Sequence, residues 1–193
     1  ENYSTRDMAE DQAEVMKTLG ISKTYVMGVS QGGMIAQYLA VDHPELVEKL
    51  VLAVTLPGPN ETMRKTVNGW KKMAEECQYK NLMIDTAENS YSAEYLKKYR
   101  VFYPILGRIG KPKDFERFLI QADSCLRHDA RSELDRIKCP TLVIGGSCDK
   151  IAGADASVEL NEKINKSELI IYQGLGHAAY EEAEDFNDRV IRY

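Results

Sequence analysis

Ser30 stands between Gly28 and Gly32 in a Gly-x-Ser-x-Gly pattern. The apolar residues before the pattern (24–27) predict a short strand buried on both faces, and residues 34–40 after it predict a helix. A sharp turn between a strand and a helix exposes a serine hydroxyl for nucleophilic attack, at the positive end of the helix. We expect Gly28 and Gly32 to provide the room that such a turn needs. The pattern alone also fits an ordinary glycine-rich loop, but the flanking strand and helix favour a nucleophile.

A serine nucleophile needs a general base, and the base needs an acid that orients it. Of the three histidines, only His177 follows a predicted strand, so it is expected at the same edge of a parallel sheet as Ser30. We expect His43 and His128 at the ends of helices. Asp149 also follows a predicted strand, although alone it fits an ordinary loop aspartate. Three post-strand loops in the chain order Ser, Asp, His are far more specific than any one of these residues.

The rest of the chain predicts the scaffold for these loops. Ser4 and Asp7 form a variant of the capping box, which predicts a helix before the first strand. Further strands are predicted at 49–54, 141–146 and 169–172, and further helices at 154–164 and 179–193. Helices and strands that alternate in this way imply parallel strands joined by right-handed crossovers.

The segment between the second and third predicted strands has a different character. From about residue 61 to residue 136 the sequence indicates no strand, and a break is predicted at Gly107, Gly110 and Pro112. We interpret this segment as an all-helical insertion. Its larger apolar side chains include candidates for a substrate pocket, and the simpler alternative is that they pack the insertion's own core. These candidates are Trp70, Met73, Tyr99, Phe102 and Tyr103.

Composition narrows the class of protein. The chain has 193 residues, 44% of them apolar, and a net charge of −5. Scattered basic residues argue against a nucleic-acid groove and against an anionic membrane surface. No apolar run approaches the length of a membrane span, and no secretory leader is evident. The four cysteines are dispersed and no histidine or cysteine cluster has metal-site spacing, so we expect a cytoplasmic protein with reduced thiols and no metal or other cofactor.

Three stretches of the chain resemble α/β-hydrolases of the small, lid-bearing esterase, lactonase and perhydrolase type: residues 28–36, 139–149 and 174–177. The resemblance implies an α/β fold with the C-terminal half of a parallel α/β-hydrolase sheet. It implies a core formed by residues 1–56 and 137–193, and an all-helical lid formed by residues 57–136.

The same resemblance implies the roles of individual residues. Ser30 would be the nucleophile, His177 the base and Asp149 the orienting acid, and the backbone N–H of Gln31 would be one donor to the oxyanion. The expected activity is that of a serine hydrolase that cleaves a small carboxylic ester or lactone through an acyl-enzyme, without a cofactor.

The chain departs from the family at its start. Family members carry four further strands before the first helix found here, and a His-Gly motif among them supplies the second oxyanion donor, which can contribute several kcal/mol. None of the three histidines here precedes a glycine. An alternative is therefore an N-terminally incomplete remnant, weak or inactive in catalysis, that binds a ligand or a partner.

The missing strands also affect assembly. The strand at 24–28 would lack its family neighbour and present an apolar, unpaired edge, which favours pairing with another chain. We expect self-association, most simply a two-fold homodimer. If the N-terminal residues are merely cut away, the partner is instead the protein's own front half.

Overall fold

A four-stranded parallel sheet forms the centre of the structure. The computed structural model describes residues 3–106 and 110–193, so the break predicted at Gly107 lies outside the described residues. The strands are β1 (Thr24–Val29), β2 (Val47–Ala53), β3 (Thr141–Gly146) and β4 (Ser167–Tyr172). They lie side by side in the order β1-β2-β3-β4, and each neighbouring pair is parallel. The predicted parallel α/β fold is confirmed.

The helices surround this sheet. They are α1 (Thr5–Thr18), α2 (Gln31–Asp42), α3 (Glu61–Glu75), α4 (Tyr79–Ser90), α5 (Ala93–Tyr99), α6 (Tyr103–Leu106), α7 (Glu116–Arg127), α8 (Ala156–Lys163), α9 (Ala179–Glu182) and α10 (Phe186–Arg192). Two short 3₁₀ turns lie at Arg100–Phe102 and Leu134–Arg136. None of the helices in the described residues combines the length and the apolarity that crossing a bilayer requires.

The first helix begins with the capping box that the sequence predicts. The Ser4 side chain accepts a hydrogen bond from the backbone N–H of Asp7, and the Asp7 carboxylate accepts one from the backbone N–H of Ser4. Ala9 and Ala13 form part of the buried face of α1. Because these side chains are small, α1 packs closely on α2 and holds the helix that follows Ser30.

Side chains of the central strands alternate between two apolar layers. Leu50 and Leu52 of β2 face the layer formed with α1, α2 and α8, while Val51 of β2 and Leu142 of β3 face the layer closed by Phe186 of α10. Residues two apart along a strand share a face, so each strand contributes to both layers. The sheet therefore has helices on both sides, and its loops are free to carry polar residues.

Two of the predicted elements need correction. The single closing helix predicted at 179–193 is wrong, because Ala183 is extended and separates α9 from α10. This break turns Phe186 into the core, where 3% of the residue is exposed. The prediction that β1 is buried on both faces is also wrong: Tyr25 is 64% exposed and Met27 is 50% exposed. β1 lies at the edge of the described sheet and pairs only with β2 there.

The helical segment 57–136 connects β2 to β3. In the part of the segment that the structure describes, helices α3–α7 occur and no strand does. Its two ends meet where the Ala130 N–H donates to the Pro57 carbonyl oxygen at 2.8 Å. Met63 and Ala122 of this segment share a buried cluster with Met34 of α2. The segment therefore packs on the helix that starts at Ser30.

His128 lies at the end of α7, as predicted, but it is buried and only 2% exposed. Its Nε2 lies 3.4 Å from Gln37 Oε1, and its Nδ1 lies 2.9 Å from Thr5 Oγ1. The Gln37 amide nitrogen donates to the Leu56 carbonyl, so Gln37 offers its oxygen to the ring and His128 is neutral with the proton on Nε2. Burial lowers the pKa of His128 to about 4.

This pKa predicts a loss of stability in acid. The unfolded chain takes up a proton at His128 near its ordinary pKa of 6.5, whereas the folded chain does so only near 4. The contribution of His128 to the free energy of unfolding is therefore fully present above pH 6.5. About 3 kcal/mol is lost as the pH falls towards 4. Urea denaturation at a series of pH values measures this loss. His128→Gln should be less stable at pH 7 and lose correspondingly less in acid; equal losses in both proteins would contradict the assignment.

Candidate active site

Ser30 forms a sharp turn between β1 and α2. Its φ is +53° and its ψ is −120°, a backbone conformation that residues other than glycine rarely adopt. A Cβ at Gly28 would lie 2.6 Å from the Cα of Gly33 and against the Gly32 carbonyl, so this position has no room for a side chain. The prediction for Gly28 is confirmed. The turn therefore depends on the close approach of β1 to the first turn of α2.

The second glycine with a steric role is Gly33 rather than Gly32. A Cβ at Gly32 would meet no atom within 4 Å, so the prediction that Gly32 provides room is wrong. A Cβ at Gly33 would lie 2.6 Å from the side chain of Thr55. The reason is geometric: the first turn of α2 presents Gly33 to the end of β2 and leaves Gly32 beside the exposed face of β1.

The three residues predicted for catalysis lie in hydrogen-bond contact. Nε2 of His177 is 2.8 Å from Oγ of Ser30, and Nδ1 of His177 is 2.9 Å from Oδ2 of Asp149. They are 147 and 28 residues apart in sequence. The carboxyl ends of β1, β3 and β4 bring them to one edge of the sheet, as a parallel topology requires.

Asp149 is buried, and hydrogen bonds to both of its carboxylate oxygens fix its orientation. Oδ1 accepts hydrogen bonds from the backbone N–H groups of Ile151 (2.8 Å) and Ala152 (2.9 Å), which leaves Oδ2 for His177. A carboxylate accepts hydrogen bonds and does not donate them, so the His177 proton lies on Nδ1. Nε2 is then left as an acceptor for the Ser30 hydroxyl, which is the arrangement that a general base needs.

The loop that carries His177 is held on two sides. Gly146 ends β3 at a point where a Cβ would collide with the carbonyl oxygens of Leu175 and Gly176. On the other side, the Ser90 carbonyl at the end of α4 accepts a hydrogen bond from the Ala178 N–H at 2.9 Å. The contact with Ser90 could not be predicted from the sequence, because the residues at a helix end do not indicate which distant N–H will donate to its last carbonyl groups.

Gln31 joins the turn to the helical segment. Its backbone N–H is the first of α2, and the first N–H groups of a helix have no intrahelical acceptor. Its side-chain Nε2 donates to the Gln121 carbonyl (3.2 Å) and to Ser124 Oγ (3.0 Å) of α7. Burial raises the pKa of the neighbouring Cys125 thiol to about 11, so that thiol stays protonated at neutral pH.

Comparisons with known proteins identify the family of the chain. The family model described as alpha/beta hydrolase fold matches residues 1–77. The AB hydrolase superfamily protein YisY of Bacillus subtilis is 30% identical over 204 residues, which cover 100% of this chain and 74% of that protein. The chain belongs to the alpha/beta hydrolase superfamily. This confirms the family that was predicted from the motifs around Ser30, Asp149 and His177.

Two further comparisons place this alpha/beta hydrolase among its relatives. A 2-hydroxy-6-oxononadienedioate/2-hydroxy-6-oxononatrienedioate hydrolase of Burkholderia vietnamiensis is 30% identical over 190 residues, which cover 94% of this chain and 65% of that protein. The solved enol-lactonase of Burkholderia xenovorans LB400 superposes with a TM-score of 0.86 at 22% identity, over 99% of this chain and 71% of that one. The likeness to the enol-lactonase shows the fold.

The five pocket candidates of this alpha/beta hydrolase have different surroundings, and two of them touch: the rings of Tyr99 and Phe102 are 6.5 Å apart between centroids. Trp70 donates its indole N–H to Asp85 at 2.8 Å and packs on the cluster that contains Met34, whereas Tyr99 and Phe102 are about half exposed. The Tyr103 hydroxyl donates to Glu88 at 2.9 Å, and Met73 is partly buried on α3. Within the described residues no hydrogen bond links any of the five to the Ser30 turn or to the His177 loop.

Proposed function

We propose that this protein is a serine hydrolase that cleaves a small carboxylic ester or lactone through an acyl-enzyme on Ser30. His177 Nε2 takes the hydroxyl proton as Ser30 Oγ attacks the carbonyl carbon, which gives a tetrahedral oxyanion. The C–O bond of the leaving alcohol then breaks, and His177 gives its proton to that oxygen. Water attacks the acyl-enzyme by the same route, releases the acid and restores the Ser30 hydroxyl.

The observation that carries this proposal is the continuous line of hydrogen bonds from Asp149 through His177 to Ser30. An isolated serine hydroxyl is a weak nucleophile at neutral pH, and an adjacent base whose tautomer is fixed activates it. The strained backbone of Ser30 supports the same role, because such strain collects at catalytic positions. The Gln31 N–H at the start of α2 is the proposed donor to the oxyanion.

We also propose that the helical segment 57–136 is a lid that borders the substrate site and leaves the remaining residues, 1–56 and 137–193, as the catalytic core. The hydrogen bonds of Gln31 to α7 and of Ala178 to Ser90 support this role, since each joins the segment to a residue next to the triad. Trp70, Met73, Tyr99, Phe102 and Tyr103 remain the proposed contributors to substrate binding.

A fluorophosphonate probe tests the proposal directly. The probe forms a covalent bond only with a serine that its neighbours activate, so we expect stoichiometric labelling of the native chain at Ser30 and none of the urea-unfolded chain. Mass analysis of the labelled peptide identifies the serine. Labelling at another residue, or absence of labelling in a chain of verified fold, would reject the assignment and favour the non-catalytic alternative.

Self-association is the third part of this proposal. β1 is the edge strand of the sheet in the described residues. Its side chains Tyr25 and Met27 are exposed, beside apolar grooves lined by Ile35 of α2 and Ile191 of α10. Unpaired strand groups beside exposed apolar area favour pairing with a second copy. We propose a two-fold homodimer of this chain across β1.

Light scattering measures this association. We expect the mass of a dimer for residues 1–193, and Met27→Lys should raise the dissociation constant about tenfold or more, because it places a charge in the apolar contact. Val101→Lys is the matched control, since Val101 is 72% exposed on the helical segment. A stable monomer at high concentration with nothing bound would rule out the dimer.

A further inference from the structure

Both polar backbone groups of Ser30 are held by the end of β2. The Ser30 N–H donates to the Ala53 carbonyl at 3.0 Å, and the Ser30 carbonyl accepts from Thr55 Oγ1 at 2.7 Å. In a regular parallel ladder, the Ser30 carbonyl would accept from the backbone N–H two residues after Ala53, which is the N–H of Thr55 itself. Here the Thr55 hydroxyl takes the place of that N–H.

The backbone at Val54 explains the exchange. Val54 is buried and has a φ of +46°, which is an outlier for a β-branched residue. Its N–H still donates to the Ile144 carbonyl at 2.7 Å, which continues the β2–β3 ladder by one bond. With this φ the chain leaves the strand direction at Val54, and the next residue reaches Ser30 with its side chain.

Thr55 is itself closely confined. It is 1% exposed, and its methyl group and hydroxyl lie against Gly33, where a Cβ would be 2.6 Å away. The Ser30 carbonyl also accepts from the N–H groups of Gly33 (2.9 Å) and Met34 (3.3 Å). Three donors on one carbonyl oxygen fix a peptide plane that would otherwise relax from its strained conformation.

That peptide plane contains the proposed oxyanion donor. The carbonyl of Ser30 and the N–H of Gln31 belong to one planar group, so a hydrogen bond that fixes the oxygen also fixes the direction of the N–H. A hydrogen bond to the carbonyl also polarises the N–H and strengthens its bond to an anion. Thr55 acts on both without touching substrate.

We propose that Thr55 is a positioning residue, whose hydroxyl aims the Ser30 nucleophile and the Gln31 N–H at the tetrahedral intermediate. This inference rests on the proposed function. It predicts a loss in the transition state rather than in the binding of substrate, so that kcat falls and KM does not.

Three variants separate positioning from packing. Thr55→Val keeps the shape of the side chain and removes the donor, and we expect it to lower kcat for a p-nitrophenyl ester about ten- to a hundredfold, with a parallel fall in the rate of fluorophosphonate labelling. Thr55→Ser keeps the donor and should stay within about threefold of the wild type. Thr141→Val is the matched control, because Thr141 is equally buried and donates to Cys139 at the opposite end of the sheet. It should leave kcat unchanged.

The outcomes distinguish the role of Thr55 from the proposed function itself. If the wild type labels and Thr55→Val labels equally fast, Thr55 has no positioning role, whereas the proposed function stands. If Thr55→Val and Thr55→Ser are equally slow, packing alone accounts for Thr55 and the inference is overturned. If the wild type neither labels nor turns over ester, the proposed function fails and the role of Thr55 in that reaction fails with it.

Discussion

Ser30→Ala is expected to lower kcat/KM for a short-chain p-nitrophenyl ester by roughly four to six orders of magnitude. The substitution removes the atom that forms the acyl-enzyme and leaves only the uncatalysed attack of water, assisted by binding and the oxyanion donor. The Ser30 side chain makes its hydrogen bond to His177 and caps no helix N–H. The fold should therefore persist, and the melting temperature should change little.

A matched variant controls for the loss of a hydroxyl. Ser167→Ala makes the same chemical change at the start of β4, where Ser167 Oγ donates to the Ile164 carbonyl at 2.8 Å. It should lower stability slightly and leave kcat/KM as in the wild type. Ester turnover by Ser30→Ala equal to that of the wild type would remove Ser30 from the mechanism.

The topology of the site could be predicted because it follows from rules of parallel sheets. Strands that alternate with helices are parallel, and the loops after such strands meet at one edge. Ser30, Asp149 and His177 were each placed in such a loop by the residues before them, and the structure brings them into hydrogen-bond contact. The short apolar runs that indicate each strand were enough for this prediction, which does not depend on how individual side chains pack.

Thr55 and Val54 could not be predicted in the same way. The predicted second strand included Val54, because a β-branched residue favours a strand. In the structure β2 ends at Ala53. The Val54 N–H still donates to Ile144 of the neighbouring strand, but the Val54 backbone has a φ of +46° and the chain turns there. A positive φ at a β-branched residue runs against the local preference, so the sequence around Val54 carries no signal of it.

His128 and Gly32 show the same limit. The sequence correctly places His128 at a helix end, but its burial depends on the packing of α1 through Thr5. Which glycine of the pair Gly32 and Gly33 meets a neighbour depends on the rotation of α2 against β2. Both properties arise from the distances between whole elements, which periodicity does not determine.

Asp149→Asn is expected to lower kcat about 10⁴-fold while the fold is kept. The asparagine retains a carbonyl oxygen for the N–H groups of Ile151 and Ala152, so the loop keeps its hydrogen bonds. Its amide nitrogen then faces Nδ1 of His177 and donates to it, which places the imidazole proton on Nε2. Nε2 can no longer accept the proton of Ser30, and the base is lost although every side chain remains in place.

Two comparisons identify this tautomer as the cause. Asp155→Asn makes the same substitution at an exposed position of the loop before α8, and it should leave kcat unchanged. Asp149→Ala should lose both kcat and stability, because it leaves the N–H groups of Ile151 and Ala152 without their acceptor. If Asp149→Asn instead lost stability as Asp149→Ala does, or kept the wild-type kcat, orientation of His177 by Asp149 would not be what activates Ser30.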